Sequence, residues 1–132
     1  MRKDINIPKS ENIYLAVSPV KLSETQWCVN LINNGPELIE NIIVVSKGYG
    51  EREGKKQETS VLRHQIDDLQ PHSSKQVELI TSEVFHLFNE YNCTYFLDGQ
   101  LFEKKFIMMP ESIKEENMIF INQLNDKGIL HT

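Results

Sequence analysis

Leu97-Asp98-Gly99-Gln100 constrains this chain more than any other stretch. Asp-Gly between two alternating runs specifies a two-residue hairpin, because both central positions need positive φ. That register sets Tyr95 opposite Phe102 and Tyr91 opposite Phe106 on one face. The other face carries Thr94 with Glu103 and Asn92 with Lys105. One aromatic face and one polar face make the pairing self-consistent, since a one-residue slip would exchange them. Lys104 alone breaks the pattern, falling on the aromatic face near Cys93.

Similar alternation extends from residue 13 to about residue 109. Ile13–Val17, Gln26–Ile32, Leu38–Val45, Thr59–Ile66 and Gln76–Ile80 read as further strands. Asn33-Asn34-Gly35-Pro36 and the stretch from Asp67 to Ser74 read as turns. Residues 46–57 hold three glycines and almost no apolar side chain, and read as a long loop. About seven short strands with turns every 8 to 12 residues predict an all-β, immunoglobulin-like two-sheet antiparallel sandwich. Trp27, the single tryptophan, lies on an apolar face and is the expected anchor between sheets. Leu69, followed by Gln70-Pro71, is expected to plug one end of the core. The domain reading is an N-terminal extension over 1–11, a sandwich over 12–109 and a C-terminal segment over 110–132. In that segment Glu111–Glu116 reads as a short helical turn and Met118–Leu130 as a hairpin or arm.

Bulk properties narrow the function classes. A chain of 132 residues fits one domain and is long enough to bury a core without metal or disulfide. A net charge of −5 weighs against a whole-surface nucleic-acid binder, which needs a basic face. No apolar run approaches the ~20 residues of a membrane-spanning helix, and none follows Arg2 and Lys3 to make a signal peptide. The expected location is therefore cytoplasmic, and Asn92-Cys93-Thr94 reads as a chance sequon. Cys28 and Cys93 are expected on opposite faces of their strands and therefore unbridged.

The run Trp27–Asn33, Ser46-Lys47-Gly48-Tyr49-Gly50, Thr59-Ser60 with Leu62-Arg63-His64, Asn89-Glu90-Tyr91 and Lys104-Lys105-Phe106 resembles a family of small, uncharacterised bacterial proteins over nearly the whole chain. Its fold is similar to immunoglobulin-like modules, which mostly bind other molecules. Some members are labelled phenylalanyl-tRNA synthetase alpha subunit. A synthetase catalytic domain is much longer than this chain and needs ATP-binding motifs that are missing here.

Two residue groups are candidate sites. Lys47, Arg52, Lys55, Lys56 and Arg63 against Glu51, Glu53 and Glu58 leave a local net charge of +2 around Tyr49. Such a segment suits an acidic partner or single-stranded nucleic acid, and its plainer reading is a solvated hairpin loop. His64 with Glu90 and Tyr91 carries the residue types of acid–base chemistry, but no nucleophile stands in a recognised context. His64, His72, His86 and His131 have no partner at zinc spacing, so no metal and no cofactor is implied. An aromatic platform would draw on Tyr14, Tyr49, Tyr91 and Phe96. Met118-Ile119-Phe120-Ile121 is too apolar to hang free and is expected to complete the sandwich or pair with a second copy. The preferred reading is a non-enzymatic protein-interaction module. The competing one is a small-ligand or glycan-binding β-sandwich, with an enzyme third.

Overall fold

The structure, a computed structural model, describes residues 11–132, so most of the expected N-terminal extension lies outside it. The described residues form two antiparallel sheets, as the alternation predicts. Ten strands run in chain order: β1 Ile13–Pro19, β2 Gln26–Asn33, β3 Ile39–Arg52, β4 Lys55–Glu58, β5 Leu62–Leu69, β6 Ser73–Thr81, β7 Phe88–Leu97, β8 Gln100–Met108, β9 Ile119–Ile121 and β10 Asp126–His131. One sheet has the order β6-β2-β1-β10-β9. The other has the order β4-β3-β7-β8, with β5 pairing the N-terminal part of β3 on the same side as β4.

The core is made by the inward faces of both sheets. Leu15, Val17, Trp27, Val29 and Leu31 come from one, and Ile42, Val44, Tyr91, Cys93 and Phe106 from the other. Trp27 meets Phe85 edge to face, with ring centroids 6.0 Å apart. That is a favoured aromatic geometry. Leu69 is buried at the end of β5. Cys93 sits in the core and Cys28 is half-buried on the other side of its strand, and both thiols are free. Burial drives the Cys93 thiol up to about 12, against a smaller opposing pull from Lys104. It is therefore protonated and inert at neutral pH.

The Asp98-Gly99 turn forms as its chemistry requires, with φ of 52° and 75°. Leu97 pairs Gln100, Tyr95 pairs Phe102 and Tyr91 pairs Phe106. Lys104 is accommodated by a specific device. Its ammonium donates to the Ile13 carbonyl at 2.8 Å and lies over the Phe106 and Tyr14 rings. Ile13 lies beyond Leu15, the last β1 residue that β10 covers, so the lysine takes the Ile13 carbonyl where β10 no longer pairs with β1.

Two expectations need correction. Residues 46–57 are not a loop: β3 runs through them to Arg52, turns at Glu53-Gly54 and returns as β4. Glu53 and Gly54 adopt φ of 54° and 77°, the same two-residue turn geometry as Asp98-Gly99. Asp67-Asp68 is also not a turn, because β5 continues through it to Leu69. Asn41 and Asp67, both at positive φ, absorb an irregularity in the β3–β5 register there.

At the chain's C-terminal end, a single 3-10 turn at Glu115–Asn117 precedes the β9–β10 hairpin, and β10 pairs with β1. Ile121 packs with Ala16 and Ile32 on the outer face of that sheet, flanked by Tyr14, Leu124 and Leu130. The apolar segment thus covers part of a face that would otherwise meet water.

Asn33 fastens one end of the sandwich. It is buried, its amide donates to the carbonyls of Glu37 (2.7 Å), Leu69 (3.1 Å) and Gln70 (3.2 Å), and its Oδ1 accepts from Gly35 N–H (3.0 Å). It therefore ties the β2–β3 turn to the β5–β6 turn. Asn33→Ala strands these buried groups and is expected to lower stability by about 2–4 kcal/mol, read as a drop in the urea midpoint. Asn33→Asp is expected to be no better, since a carboxylate would face the same carbonyl oxygens.

Candidate functional site

The β3–β4 hairpin builds a groove on the outer side of its sheet. Lys47 and Tyr49 point outward from β3, and in register across β7 stand Glu90 and Phe88. Tyr49 stacks on Phe88 with centroids 5.5 Å apart and planes 11° from parallel. The Tyr49 hydroxyl donates to Glu90 Oε1 at 3.3 Å, and Lys47 Nζ lies 3.8 Å from Glu90 Oε2. Burial and the Glu90 charge both push the Tyr49 phenol upward, so it stays a neutral donor at physiological pH. Lys56, Glu58 and Val61 close the other wall around about 570 Å³. Val61 is 64 % exposed, and Lys47 is exposed across from it.

Glycine makes the groove floor thin. A Cβ on Gly48 would lie 3.0 Å from the Thr59 methyl. In its absence Gly48 N–H donates to Thr59 Oγ1 at 2.7 Å, and Thr59 N–H returns a bond to the Gly48 carbonyl at 2.9 Å. These two bonds hold residues 59–61, which lie between β4 and β5, against β3. His86 Nε2 and Gln57 Oε1, 2.6 Å apart, brace β4 from behind.

The structure gathers only some of the basic candidates. Lys47, Tyr49 and Lys56 line the groove. Arg52 and Lys55 face each other at the hairpin tip, flanking the turn. Arg63 is exposed on β5 opposite Val45, well along the sheet from the tip.

His64, Glu90 and Tyr91 do not form one cluster. Alternation separates neighbours: Glu90 points outward to Lys47 and Tyr49, while Tyr91 points into the core. His64 and Tyr91 meet instead at Glu78 of β6. His64 Nε2 lies 2.6 Å from Glu78 Oε1, Tyr91 OH donates to Oε2 at 2.6 Å, and Ser46 Oγ donates to Oε1 at 3.0 Å. Three strands of one sheet therefore converge on a carboxylate from the other. A recess of about 260 Å³ lies beside it, between residues 59–62 and β6.

Glu78 was not among the residues singled out from sequence. Glu78 sits opposite Val29, which faces inward, while Leu79 is turned outward and left 48 % exposed; a bulge at Val77 interrupts the pairing just beyond. The signal was Glu78 sharing a two-residue period with Ile80. Phe88 and Val61 were also missed, since an aromatic beside a strand start and a lone valine after a polar run carry no distinct pattern. The four platform aromatics do not share a surface. Tyr14 belongs to the outer face of the first sheet, Tyr91 to the core, and Tyr49 and Phe96 to the second sheet.

Among the described residues no group of three or more His, Cys, Asp or Glu is placed to hold a metal. Nor is a hydroxyl aligned on a histidine in the way nucleophilic catalysis requires: Ser46, His64 and Tyr91 all turn to the same carboxylate. The arrangement ties the two sheets together.

Tyr91 gives this cluster a pH signature. Burial, then the Glu78 charge and hydrogen bond, hold its phenol far above the ordinary tyrosine value of 10.0. The unfolded chain loses that proton near pH 10 while the folded chain keeps it, so stability is present below pH 10 and falls above it. Tyr91→Phe is expected to cost about 1.5–3 kcal/mol at neutral pH, through the lost bond to a buried carboxylate. It is also expected to flatten the alkaline decline seen in thermal melts between about pH 9 and 11.

Compared with protein-family models, curated proteins and solved structures, the chain matches none.

Proposed function

We propose that this chain is a non-catalytic protein-interaction module that seats its partner in the groove between β3, β4 and the Glu90 row of β7. The observation that carries this reading is the stacked Tyr49–Phe88 pair beside exposed Val61, edged by Lys47, Lys56 and Glu90. Rigid aromatics next to aliphatic surface with charge at the rim make the usual composition of a binding hot spot. The groove's volume falls within the range of pockets that hold a side-chain cluster or a small ligand. Lys47 and Lys56 in the groove are balanced by Glu51, Glu58 and Glu90, so the positive charge that favours an acidic partner and speeds encounter comes from Lys55 and Arg52 at the tip and Arg63 on β5.

The strand order supports an immunoglobulin-like reading of the scaffold. Setting aside β4 and the β9–β10 hairpin leaves β6-β2-β1 against β5-β3-β7-β8, with Trp27 between the layers.

A small-ligand or glycan reading has one observation in its favour, the hydroxyl-lined recess beside Glu78 containing Ser46, Thr59, Ser60 and Thr81. Its volume of about 260 Å³ lies below the usual range for such sites. Both Glu78 oxygens are also already engaged by internal donors. The outer groove is the stronger candidate.

Affinity capture from native extract tests the proposal. A partner held by the intact protein is expected to fall about tenfold or more with Tyr49→Ala, a loss of roughly 1.4 kcal/mol or more. Charge reversal at Lys55, Lys56 and Arg63 is expected to slow association and blunt its salt dependence. Undiminished capture by both variants overturns the groove as the binding surface. A thermal shift of the intact protein by free sugars, lost in Ser46→Ala, would transfer the function to the inner recess.

A further inference from the structure

Among the described residues five strands have an open side, and four of them are charged. β4 carries Lys55, Lys56 and Glu58, and β5 carries Arg63, Asp67 and Asp68. β6 carries Lys75 and Glu78, and β8 carries Glu103, Lys104 and Lys105. Charged edges resist pairing with another chain, because strand addition would bring like charges together or strip them of water. β9 is the exception. It reads Ile119-Phe120-Ile121, and no charged residue occurs from Asn117 to Asn125. Only its β10 side is paired among the described residues.

The exposure pattern is equally unusual. Ile119 and Phe120 alternate across the strand, yet both are more than half exposed, at 54 % and 57 %. Opposite faces of the strand are therefore both in water there. Ile121, by contrast, is buried against Ala16 and Ile32. The hairpin is anchored at its turn end and leaves a short apolar ribbon uncovered.

We propose that β9 pairs antiparallel with β9 of a second copy of this chain, joining two five-stranded sheets into one. The inference is independent of the hairpin groove. The strand's own sequence identifies the occupant. A two-fold axis through Phe120 places Phe120 opposite Phe120 and Ile119 opposite Ile121 of the second copy, so the three residues of β9 meet apolar on apolar. Met118 then meets Asn122, and Asn117 meets Gln123, with no charge within reach of a like charge. The nearest lysine, Lys127, sits beside Phe120 on β10. Its counterpart would lie three strand spacings away, about 14 Å, beyond the screening length of about 8 Å at physiological salt. A charged partner strand would gain nothing from an edge without charge, whereas a second copy matches it residue for residue. The junction is small, which places the association in the micromolar range.

Sedimentation velocity of the full chain from about 1 to 100 μM is expected to show a concentration-dependent dimer. Phe120→Lys is expected to shift the dissociation constant upward by at least tenfold. Its thermal midpoint at low concentration should not change, since the side chain is exposed. A monomer throughout the range overturns the proposal, as does a dimer that persists in Phe120→Lys. Crosslinking tests the register in a Cys28→Ser background. Directly opposed residues of an antiparallel pair have Cα atoms about 4.5–5.5 Å apart, within disulfide reach. Mild oxidation should therefore link Phe120→Cys into a covalent dimer roughly tenfold more efficiently than Ile119→Cys. Equal yields at the two positions overturn the pairing through Phe120.

Discussion

Glu78 gathers the densest set of polar contacts between the two sheets. Its carboxylate leaves β6 and receives His64 from β5, Ser46 from β3 and Tyr91 from β7. A carboxylate withdrawn from water is costly unless its oxygens are satisfied, and here both are. The benefit is directional. Hydrophobic burial draws two sheets together without fixing their offset, whereas three donors meeting one carboxylate permit one relative placement. That placement settles where residues 59–62 pass over the margin of the sandwich, and so where the groove above them opens. The opposite margin uses another device, the Lys104 ammonium on the Ile13 carbonyl.

Much of this was legible in sequence wherever alternation was strict. The Asp98-Gly99 hairpin could be read to the residue pair, because turn chemistry and facial pattern agreed on one register. Trp27 and the opposed cysteines followed from the same two-residue period, and Leu69 from the Gln70-Pro71 that follows it. Reading failed where that period carried no hydrophobic contrast. Ser46 to Gln57 is polar on both faces at its far end, and its turn is Glu53-Gly54, whose glutamate lacks the short side chain that marks Asn-Gly and Asp-Gly. A hairpin that leaves the body of the sheet needs no apolar face, and therefore shows none in its sequence.

The candidate sites divided along the same line. Glu90 and Tyr91 are adjacent in sequence, and in a strand that guarantees opposite faces. Lys47, Tyr49 and Glu90 share the outer one, and the groove follows from β3 and β7 being neighbours. Sheet order was not in the pattern of any single segment, and neither was the meeting of Ser46, His64 and Tyr91 at Glu78. Local periodicity gave faces; the meeting of faces from different strands needed the three-dimensional arrangement.

The pairing of β10 with β1 bears on how the chain is made. Ala16 meets Leu130 across that ladder, more than a hundred residues later in sequence. β2 can join β1 almost at once, but the other side of β1 waits for nearly the last residues described. Translation at about 5–20 residues per second leaves that side open for roughly ten seconds. Throughout that interval Ala16 and Ile32 lack the cover that Ile121 later provides. Until β10 is made, a nascent chain of this design carries an unfinished sheet with one side of β1 open.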